Sequence, residues 1–443
     1  MSVTTEPSPQ IPQALQDRPS PRLASVLAGG KVPGGRSAAH WSFIKRAFPA
    51  AVAIFAAVNL AFSGALVPKS LKDDEKNARG GDFWTNPALI DLAVHQFKES
   101  SKLERPKVVL LGSSLVMFPF WAMDASINPK IEDIAHYHRS MALSQTLGLP
   151  QKGIDPASSP AIFNLASAGQ MSSDTYLYVT EFLNGPSKPD VIFWGVAPRD
   201  FGDANLTSPM STVSFKRIVN LQNLDRYKAT FLPHFNEQAE FIANEICYFY
   251  GRRWRMQRES DRLLEKLSSF IAKSSGVTPG AGAPAAVGVK SDGTAGGVTV
   301  AAEPGADITR RLTGFARERW VSSLREYRSR YKGIGDRDIS VQMDCLERVL
   351  ALCHERGIKV VLVNLPLTRA NRELMPENFY ERFSGQVAAA ASRYKQDVSY
   401  FDLSLDKRFT DYDFWDTVHM NQLGGVKMMQ IVAPALKADL AVK

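Results

Sequence analysis

Cysteine is scarce in this sequence of 443 residues, which contains only Cys247, Cys345 and Cys353. Three cysteines cannot build a disulfide framework, and their spacings do not match those of zinc ligands. Cys345 and Cys353 lie on one predicted helix, about 12 Å apart along its axis, which is too far for them to bridge each other. None follows directly after the apolar run at 47–67, which excludes a lipid-modified cysteine there. Disulfide and zinc scaffolds are therefore excluded.

Histidine is also infrequent, with seven in the chain. His136 and His138 are spaced so that a strand would present both imidazoles on one face, but no third ligand lies near them in the sequence. We therefore expect no metal site and no other cofactor. His95, His234 and His354 occur in predicted helical or loop segments, where we expect surface or packing roles.

Basic motifs with interleaved aromatic residues, which are typical of nucleic-acid binding, are missing, and we expect no nucleic-acid partner. The chain nevertheless carries a net charge of +8, from 53 Lys and Arg against 45 Asp and Glu. This excess favours anionic surfaces such as phospholipid headgroups or acidic glycans. Half of the excess belongs to residues 1–46, whose prolines, glycines and few large apolar side chains predict a disordered tail.

Residues 47–67 carry no charge and are predominantly apolar. A helix of this length is enough to cross the hydrocarbon layer of a bilayer. A buried core helix and a cleavable signal peptide are the alternatives. The length of the run and of the 46 residues before it favours an uncleaved transmembrane helix. Lys and Arg residues flank the run on both sides, so the positive-inside rule leaves its orientation open.

Five short apolar runs follow, each ending in polar or glycine-containing turns, and this pattern predicts strands buried on both faces of a parallel sheet. The runs are Val108–Leu111, Ala161–Leu165, Val191–Gly195, Val360–Asn364 and Val398–Leu403. Helical periodicity at 341–356 and 376–395 places helices between the later strands. The sequence therefore predicts an α/β layered fold with right-handed crossovers.

Other segments divide the chain further. Residues 68–105 predict a stalk with a docking helix at 87–100, and residues 106–443 predict the main domain. Within that domain, residues 201–331 interrupt the alternation of strands and helices, and we interpret this segment as a helical insertion. Its stretch 274–307 is composed almost entirely of small residues and proline, which predicts a flexible loop. The insertion is either a lid, a partner-binding surface or structural padding.

Two motifs carry the chemistry. Gly112-Ser113-Ser114-Leu115 follows the first apolar run, so Ser114 is expected at the carboxyl edge of the sheet. Asp416 precedes His419 by three residues near the C-terminus, a spacing that lets a carboxylate orient the imidazole that deprotonates a serine. Together the motifs predict a Ser-His-Asp triad.

Taken in order along the chain, these motifs resemble the sequence blocks of the SGNH or GDSL-like hydrolase superfamily. The family's Gly-Asp-Ser-Leu block corresponds to Gly112-Ser113-Ser114-Leu115, and its Asp-x-x-His block to Asp416 and His419, followed by Asn421. The family's second block places an asparagine five residues before an oxyanion glycine, as Asn164 and Gly169 do here. The resemblance implies a three-layer α/β sandwich with a mostly parallel five-stranded sheet. It also implies that the backbone N–H groups of Ser114 and Gly169 stabilise the oxyanion.

Two positions depart from the family pattern. Ser113 replaces the usual aspartate, and the third block, which supplies an asparagine to the oxyanion hole, has Arg199 nearest that place. Arg199 would either donate hydrogen bonds to an oxyanion or form a salt bridge. Trp194, Phe414 and Trp415 flank the predicted site, where they would line an acyl or sugar pocket or pack in the core.

The departures resemble a membrane-anchored bacterial branch of the superfamily that is related to cell-envelope polysaccharide O-acylation. This likeness implies a single-pass membrane protein with an extracytoplasmic catalytic domain, an acylated substrate or glycan, and a multi-pass membrane acyltransferase as partner. The expected function is that of a serine esterase or O-acyltransferase acting on a cell-envelope or exported polysaccharide. The alternative is a non-catalytic SGNH-like scaffold that binds a glycan or a membrane acyltransferase.

Overall fold

The structure is a computed structural model that describes residues 49–59, 94, 95, 97–100, 105–127, 141–147, 160–183, 185–204, 208–247, 311–332, 334 and 336–441. Most of the predicted tail and stalk, the predicted loop 274–307, and His136 and His138 lie outside these residues.

A single five-stranded sheet forms the centre of the described chain. Its strands are β1 (Lys107–Leu111), β2 (Ala161–Asn164), β3 (Val191–Val196), β4 (Lys359–Asn364) and β5 (Val398–Asp402). They lie in the order β2-β1-β3-β4-β5, and every neighbouring pair is parallel. The five apolar runs are therefore confirmed as strands, in a sheet that is wholly rather than mostly parallel. Valine is the commonest residue in them, and the strands other than β5 are almost wholly buried, as expected for a parallel sheet covered on both faces.

Helices connect and cover the strands. They are α1 (Ser114–Ile127), α2 (Met141–Thr146), α3 (Ser172–Tyr178), α4 (Val213–Ile218), α5 (Leu224–Phe231), α6 (Phe235–Ile246), α7 (Gly314–Arg330), α8 (Asp336–Glu355), α9 (Arg369–Arg372), α10 (Phe379–Ser392) and α11 (Gln422–Ala441). A π-helix at Val179–Leu183 continues α3, and 3-10 helices form at Pro198–Asp200, Pro209–Ser211 and Asp411–Asp413.

Alternate residues of each strand enter two separate hydrophobic clusters, one on each face of the sheet. Val108 and Leu110 of β1 pack with side chains of α1, α7 and α11, whereas Val109 and Leu111 pack with side chains of α3, α5, α8 and α10. This alternation follows from the two-residue period of a strand. The helices therefore form two outer layers around the sheet, which makes three layers in total.

The predicted insertion contributes helices to both outer layers. Phe215 of α4 and Phe231 of α5 belong to the cluster that contains α8, whereas Trp320 and Tyr327 of α7 belong to the cluster that contains α1 and α11. The two parts of 201–331 that the structure describes therefore pack on opposite faces of the sheet.

The N-terminal segments are described only in part. Residues 49–59, within the predicted span 47–67, are helical and mostly exposed. Within the described residues, no helix is both long and apolar enough to cross a membrane, so the predicted transmembrane helix is not supported there. Of the predicted docking helix, residues 94, 95 and 97–99 are helical, and the Phe97 ring packs edge-on against Phe163 of β2 at 5.2 Å.

Two consecutive glycines allow α11 to approach its neighbours closely. A Cβ on Gly424 would lie 2.5 Å from the carbonyl oxygen of Asp413, and a Cβ on Gly425 would lie 3.0 Å from both Cβ and the carbonyl oxygen of Pro119 in α1. Neither position has space for a side chain. The backbones of α1 and α11 therefore meet near the start of each helix.

We predict opposite effects for alanine at two helical glycines. Gly424→Ala should lower the free energy of unfolding by about 1–3 kcal/mol, because the new methyl group meets a backbone carbonyl that cannot rotate away. Gly385→Ala in α10 should raise it by about 0.5–1 kcal/mol, because open space surrounds that position and alanine favours the helix. Urea unfolding of both variants tests the pair, and equal effects would contradict the close approach.

Candidate active site

Ser114 is placed by a turn that requires glycine. Gly112 follows β1 with φ of +133°, and a Cβ there would lie 2.6 Å from the carbonyl oxygen of Gly195 in β3. The chain then enters α1 directly, with backbone N–H groups of its first turn donating to the carbonyl of Ser113. Ser114 is thus the first residue of a helix at the carboxyl edge of the sheet, where its own backbone N–H has no intrahelical acceptor.

His419 lies in a short connection before α11. Asn421 closes this connection: its side-chain oxygen accepts hydrogen bonds from the N–H groups of Leu423 at 2.8 Å and Gly424 at 3.2 Å. Its amide nitrogen donates to the Tyr412 carbonyl at 2.8 Å. Asn421 is therefore the N-cap of α11 and fixes where the helix begins relative to His419.

The three predicted triad residues are in hydrogen-bond contact. Ser114 Oγ lies 2.9 Å from His419 Nε2, and His419 Nδ1 lies 2.8 Å from Asp416 Oδ2. The side chains of His419 and Asp416 are 15% and 16% exposed, so solvent reaches the imidazole only in part. These contacts have the geometry in which a histidine accepts the proton of a serine hydroxyl while a carboxylate fixes its tautomer.

The second oxygen of Asp416 orients the carboxylate. Oδ1 accepts hydrogen bonds from the backbone N–H groups of Val418 and His419, both at 2.9 Å. Burial alone would raise the pKa of Asp416, but the charge of His419 and these hydrogen bonds outweigh it and hold the pKa below its usual value. Asp416 is therefore ionised whenever the site is near neutral pH.

Thr417, between the acid and the base, is fully buried and held by hydrogen bonds from two directions. Its hydroxyl lies 2.6 Å from Ser323 Oγ of α7 and accepts from Asn371 Nδ2 of α9 at 3.2 Å. Its carbonyl accepts from the hydroxyl of Thr368 at 2.7 Å, and Tyr331 in turn donates to Asn371 at 2.9 Å. The sequence did not predict that these residues position the loop. The one feature of the sequence that points to them is the threonine inside the Asp-x-x-His motif.

Gly169 lies in a turn that is hydrogen-bonded to the backbone just before α1. Asn164, at the end of β2, accepts a hydrogen bond at 3.0 Å from the N–H two residues along the chain. Ser167 N–H donates to the carbonyl of Gly112 and also to Gln170 Oε1, both at 3.0 Å. Gly169 adopts φ of +75°, which favours glycine. The turn that carries the predicted oxyanion glycine therefore adjoins the residue two positions before Ser114.

Arg199 is buried within an ion-pair cluster. Its Nη1 donates to the hydroxyl of Tyr327 at 3.1 Å, and its other nitrogens lie 3.8 Å from Asp200 and 3.9 Å from Asp203. Asp203 also pairs with Arg330 of α7. These contacts correspond to the salt-bridge alternative for Arg199. They link the 3-10 helix after β3 to α7 behind the triad.

Ser113 is fully buried beneath the nucleophile. Its hydroxyl accepts a weak hydrogen bond from the N–H of Leu115 at 3.4 Å and lies near the carboxyl group of Asp200. Burial raises the pKa of Asp200 to about 7, although the neighbouring charge of Arg199 and the nearby Ser113 hydroxyl oppose the shift. Ser113 therefore connects the start of α1 to the same buried cluster as Arg199.

Aromatic side chains flank His419, but they differ from the predicted set. Trp194 and Phe414 belong to the two hydrophobic clusters, so both are core residues. Trp415 is 38% exposed and lies at the surface next to Asp416. Phe118 of α1, which sequence reasoning missed, packs against the His419 ring at a tilt of 42°, with centroids 4.5 Å apart. The feature of the sequence that could have indicated this contact is the position of Phe118 one helical turn after Ser114.

Two of the remaining histidines have surface positions. His354 is half-exposed and pairs with Asp397 at 2.6 Å, and His234 precedes α6 on the surface. Across the described ranges, no group of three or more histidine, cysteine, aspartate or glutamate side chains has an arrangement suited to a metal ion.

We predict that Thr417→Val weakens both the fold and the triad. Valine keeps the shape but leaves Ser323 and Asn371 without their buried partner, which should cost about 1–3 kcal/mol of unfolding free energy. The reactivity of Ser114 should fall because the loop that carries Asp416 and His419 is no longer fixed. The measurements are urea unfolding and the rate of labelling by a fluorophosphonate.

Thr313→Val is the control for this prediction, since Thr313 is exposed and its side chain makes no capping hydrogen bond. Equal behaviour of the two variants would contradict the positioning role of Thr417.

We predict that Asp416→Asn lowers the labelling rate by a similar factor throughout about pH 5 to 8, because Asp416 with its lowered pKa does not titrate in that range. A loss on the order of 10³–10⁴-fold is expected, since an amide fixes the wrong imidazole tautomer. Because the folded-state pKa is depressed, the stabilising effect of this carboxylate is present above pH about 4 and is lost as the pH falls through the folded pKa. A loss confined to one end of the pH range would contradict the assignment.

No protein-family model matches this chain, and no curated protein matches it in sequence.

Proposed function

We propose that this chain is a membrane-anchored serine esterase or O-acyltransferase that acts on a cell-envelope or exported polysaccharide. The observation that carries the proposal is the continuous relay from Ser114 Oγ to His419 Nε2 at 2.9 Å and from His419 Nδ1 to Asp416 at 2.8 Å. A serine in such a relay is a nucleophile toward esters, because proton removal accompanies its attack.

The proposed reaction begins when Ser114 Oγ attacks the carbonyl carbon of an acyl ester and His419 accepts the hydroxyl proton. Charge develops on the carbonyl oxygen, where the backbone N–H of Ser114 and that of Gly169 donate hydrogen bonds. His419 then protonates the departing alcohol, which leaves an acyl group on Ser114. Attack on that acyl group by water gives hydrolysis, and attack by a sugar hydroxyl gives transfer; in both cases His419 takes the proton and returns it to Ser114.

We propose an SGNH-like assignment for the domain on the order of its parts around the sheet. Ser114 follows β1, the Gly169 turn follows β2 and Arg199 follows β3, so all three lie at the carboxyl edge of a parallel sheet. The hydrogen bond from Ser167 N–H in the Gly169 turn to the carbonyl of Gly112 supports the role of Gly169 beside Ser114.

We further propose that the run 47–67 anchors the protein as a single-pass membrane protein with an extracytoplasmic domain. Support comes from the uncharged apolar sequence and from helix 49–59, on which Val52, Ile54 and Phe55 are exposed. A multi-pass membrane acyltransferase is the proposed partner, because an acyl donor on the other side of the bilayer needs a carrier across it.

The second candidate is a non-catalytic scaffold that binds a glycan or the membrane acyltransferase. The observation that favours it is Arg199, which stands near the place of the family's oxyanion asparagine and is engaged by Asp200 and Asp203. In this candidate the oxyanion hole has two backbone donors and lacks the third.

We predict that a fluorophosphonate labels the wild-type protein and that Ser114→Ala abolishes the labelling. His419→Ala should lower the labelling rate by at least about 10³-fold, because the hydroxyl loses its base. Ser126→Ala is the matched control, since Ser126 lies on the same helix and, among the residues that the structure describes, hydrogen-bonds only the backbone carbonyl of Met123. Labelling can be followed by intact-protein mass spectrometry.

A wild-type protein that is folded but neither labels nor cleaves a small aryl acetate would overturn the enzymatic proposal in favour of the scaffold. Acetyl release in water alone identifies an esterase, whereas acetyl that appears on an added glycan identifies a transferase. Either activity must be lost in His419→Ala.

A further inference from the structure

Three side chains form an exposed stack beside the triad, which we call the Trp415 stack: Phe315 and Arg319 of α7, and Trp415. The guanidinium carbon of Arg319 lies 5.6 Å from the ring centroid of Phe315 and 5.0 Å from that of Trp415. Phe315 is 75% exposed and Trp415 is 38% exposed. Large aromatic faces at this level of exposure next to a reactive group are available to a ligand.

Backbone hydrogen bonds fix the Trp415 stack to the triad. Arg319 Nε donates to the Trp415 carbonyl at 2.6 Å, and the Trp415 N–H donates to the His419 carbonyl at 2.7 Å. One helical turn further along α7, Ser323 contacts Thr417 at 2.6 Å. A molecule held on the stack is therefore held at a fixed position relative to Asp416 and His419.

Arg319 retains donors that a ligand can use. Within the described residues, Nε is the one guanidinium nitrogen of Arg319 that makes a hydrogen bond, and it leaves the terminal NH₂ groups as a planar fork. By contrast, Arg199 and Arg330 nearby are paired with buried carboxylates. A fork with two donors matches a carboxylate, and stacking on aromatic rings restricts its orientation.

The charge of α7 favours the same kind of ligand. The helix carries five arginines and two glutamates. Three of these arginines, Arg317, Arg325 and Arg328, are exposed, and no carboxylate in the described part of the chain lies within salt-bridge distance of them. The resulting positive potential attracts anions toward this side of the site.

We propose that the Trp415 stack is the acceptor subsite and that the acceptor is an acidic polysaccharide, a chain of sugars that carry carboxylates. The apolar face of a sugar ring packs on the indole of Trp415, and the sugar carboxylate takes the two terminal nitrogens of Arg319. A rigid indole face suits the C–H face of a sugar ring, whereas a phospholipid headgroup such as a phosphate ester of serine or glycerol offers no such face. The inference rests on the proposed function, since it names the substrate class of the same site.

The test measures binding without catalysis, by calorimetry on the full-length Ser114→Ala protein in detergent. The probes are a galacturonic acid hexamer, the neutral maltohexaose, and vesicles that contain anionic phospholipid. We expect the acidic hexamer to bind at least about tenfold more tightly than maltohexaose, and added salt to weaken its binding. Equal affinities for the two oligosaccharides, binding to vesicles alone, or no binding to any probe would overturn the proposal.

Substitutions then locate the subsite. Arg319→Lys keeps the charge but loses the fork, and we expect about tenfold weaker binding of the hexamer. Trp415→Ala should weaken binding to a similar extent, whereas Trp415→Phe should retain most of it because an aromatic face remains. The matched control Arg348→Gln, at a half-exposed arginine of α8, should bind like the parent. Unchanged binding in both Arg319→Lys and Trp415→Ala would place the site elsewhere.

Thermal unfolding of each variant separates lost binding from lost structure. The two proposals also fail separately. If the wild-type protein does not react with a fluorophosphonate while the hexamer binds through Arg319, the proposal of catalysis is wrong and the proposal of a glycan subsite is retained. If Ser114 reacts and the hexamer does not bind, the site is catalytic and the acidic acceptor is wrong.

Discussion

The contact between α1 and α11 is the constraint on which the candidate site depends. Ser114 begins α1 and His419 precedes α11, so the distance between residues 305 positions apart is set by how these helices pack. Gly425 lets the α11 backbone approach Pro119, and Gly424 lets it approach the carbonyl of Asp413. The hydrogen bond between nucleophile and base is therefore a product of helix packing, and neither local motif forms it alone.

A buried polar cluster supports this arrangement from behind. Arg199, Asp200 and Asp203 would each be costly to bury alone, and their mutual contacts, together with Tyr327 and Arg330, offset that cost. The same region holds Thr417 through α7 and α9. These buried charges are thus part of the structure that surrounds Asp416 and His419.

The sequence predicted the sheet and the triad because both have local signals. Strands buried on both faces appear as apolar runs, and Asp416 and His419 lie within one helical turn of each other. The contact of Ser323 with Thr417 spans 94 positions and that of Arg199 with Tyr327 spans 128, so no periodicity or motif reveals either contact. Trp194 and Trp415 were equivalent in sequence, and only packing separates a core side chain from an exposed one.

Helix α7 touches the loop that carries Asp416 and His419 at two points, through Arg319 to Trp415 and through Ser323 to Thr417. A ligand that displaces this helix must therefore move the carboxylate and imidazole as well, and it does so against the free energy of those contacts. By thermodynamic reciprocity, if a ligand on α7 changes the affinity of the site at Ser114 for a second ligand, the second ligand changes the affinity for the first by the same factor. Helix α7 thus provides a physical connection between the outer surface of the domain and the loop that holds His419 beside Ser114.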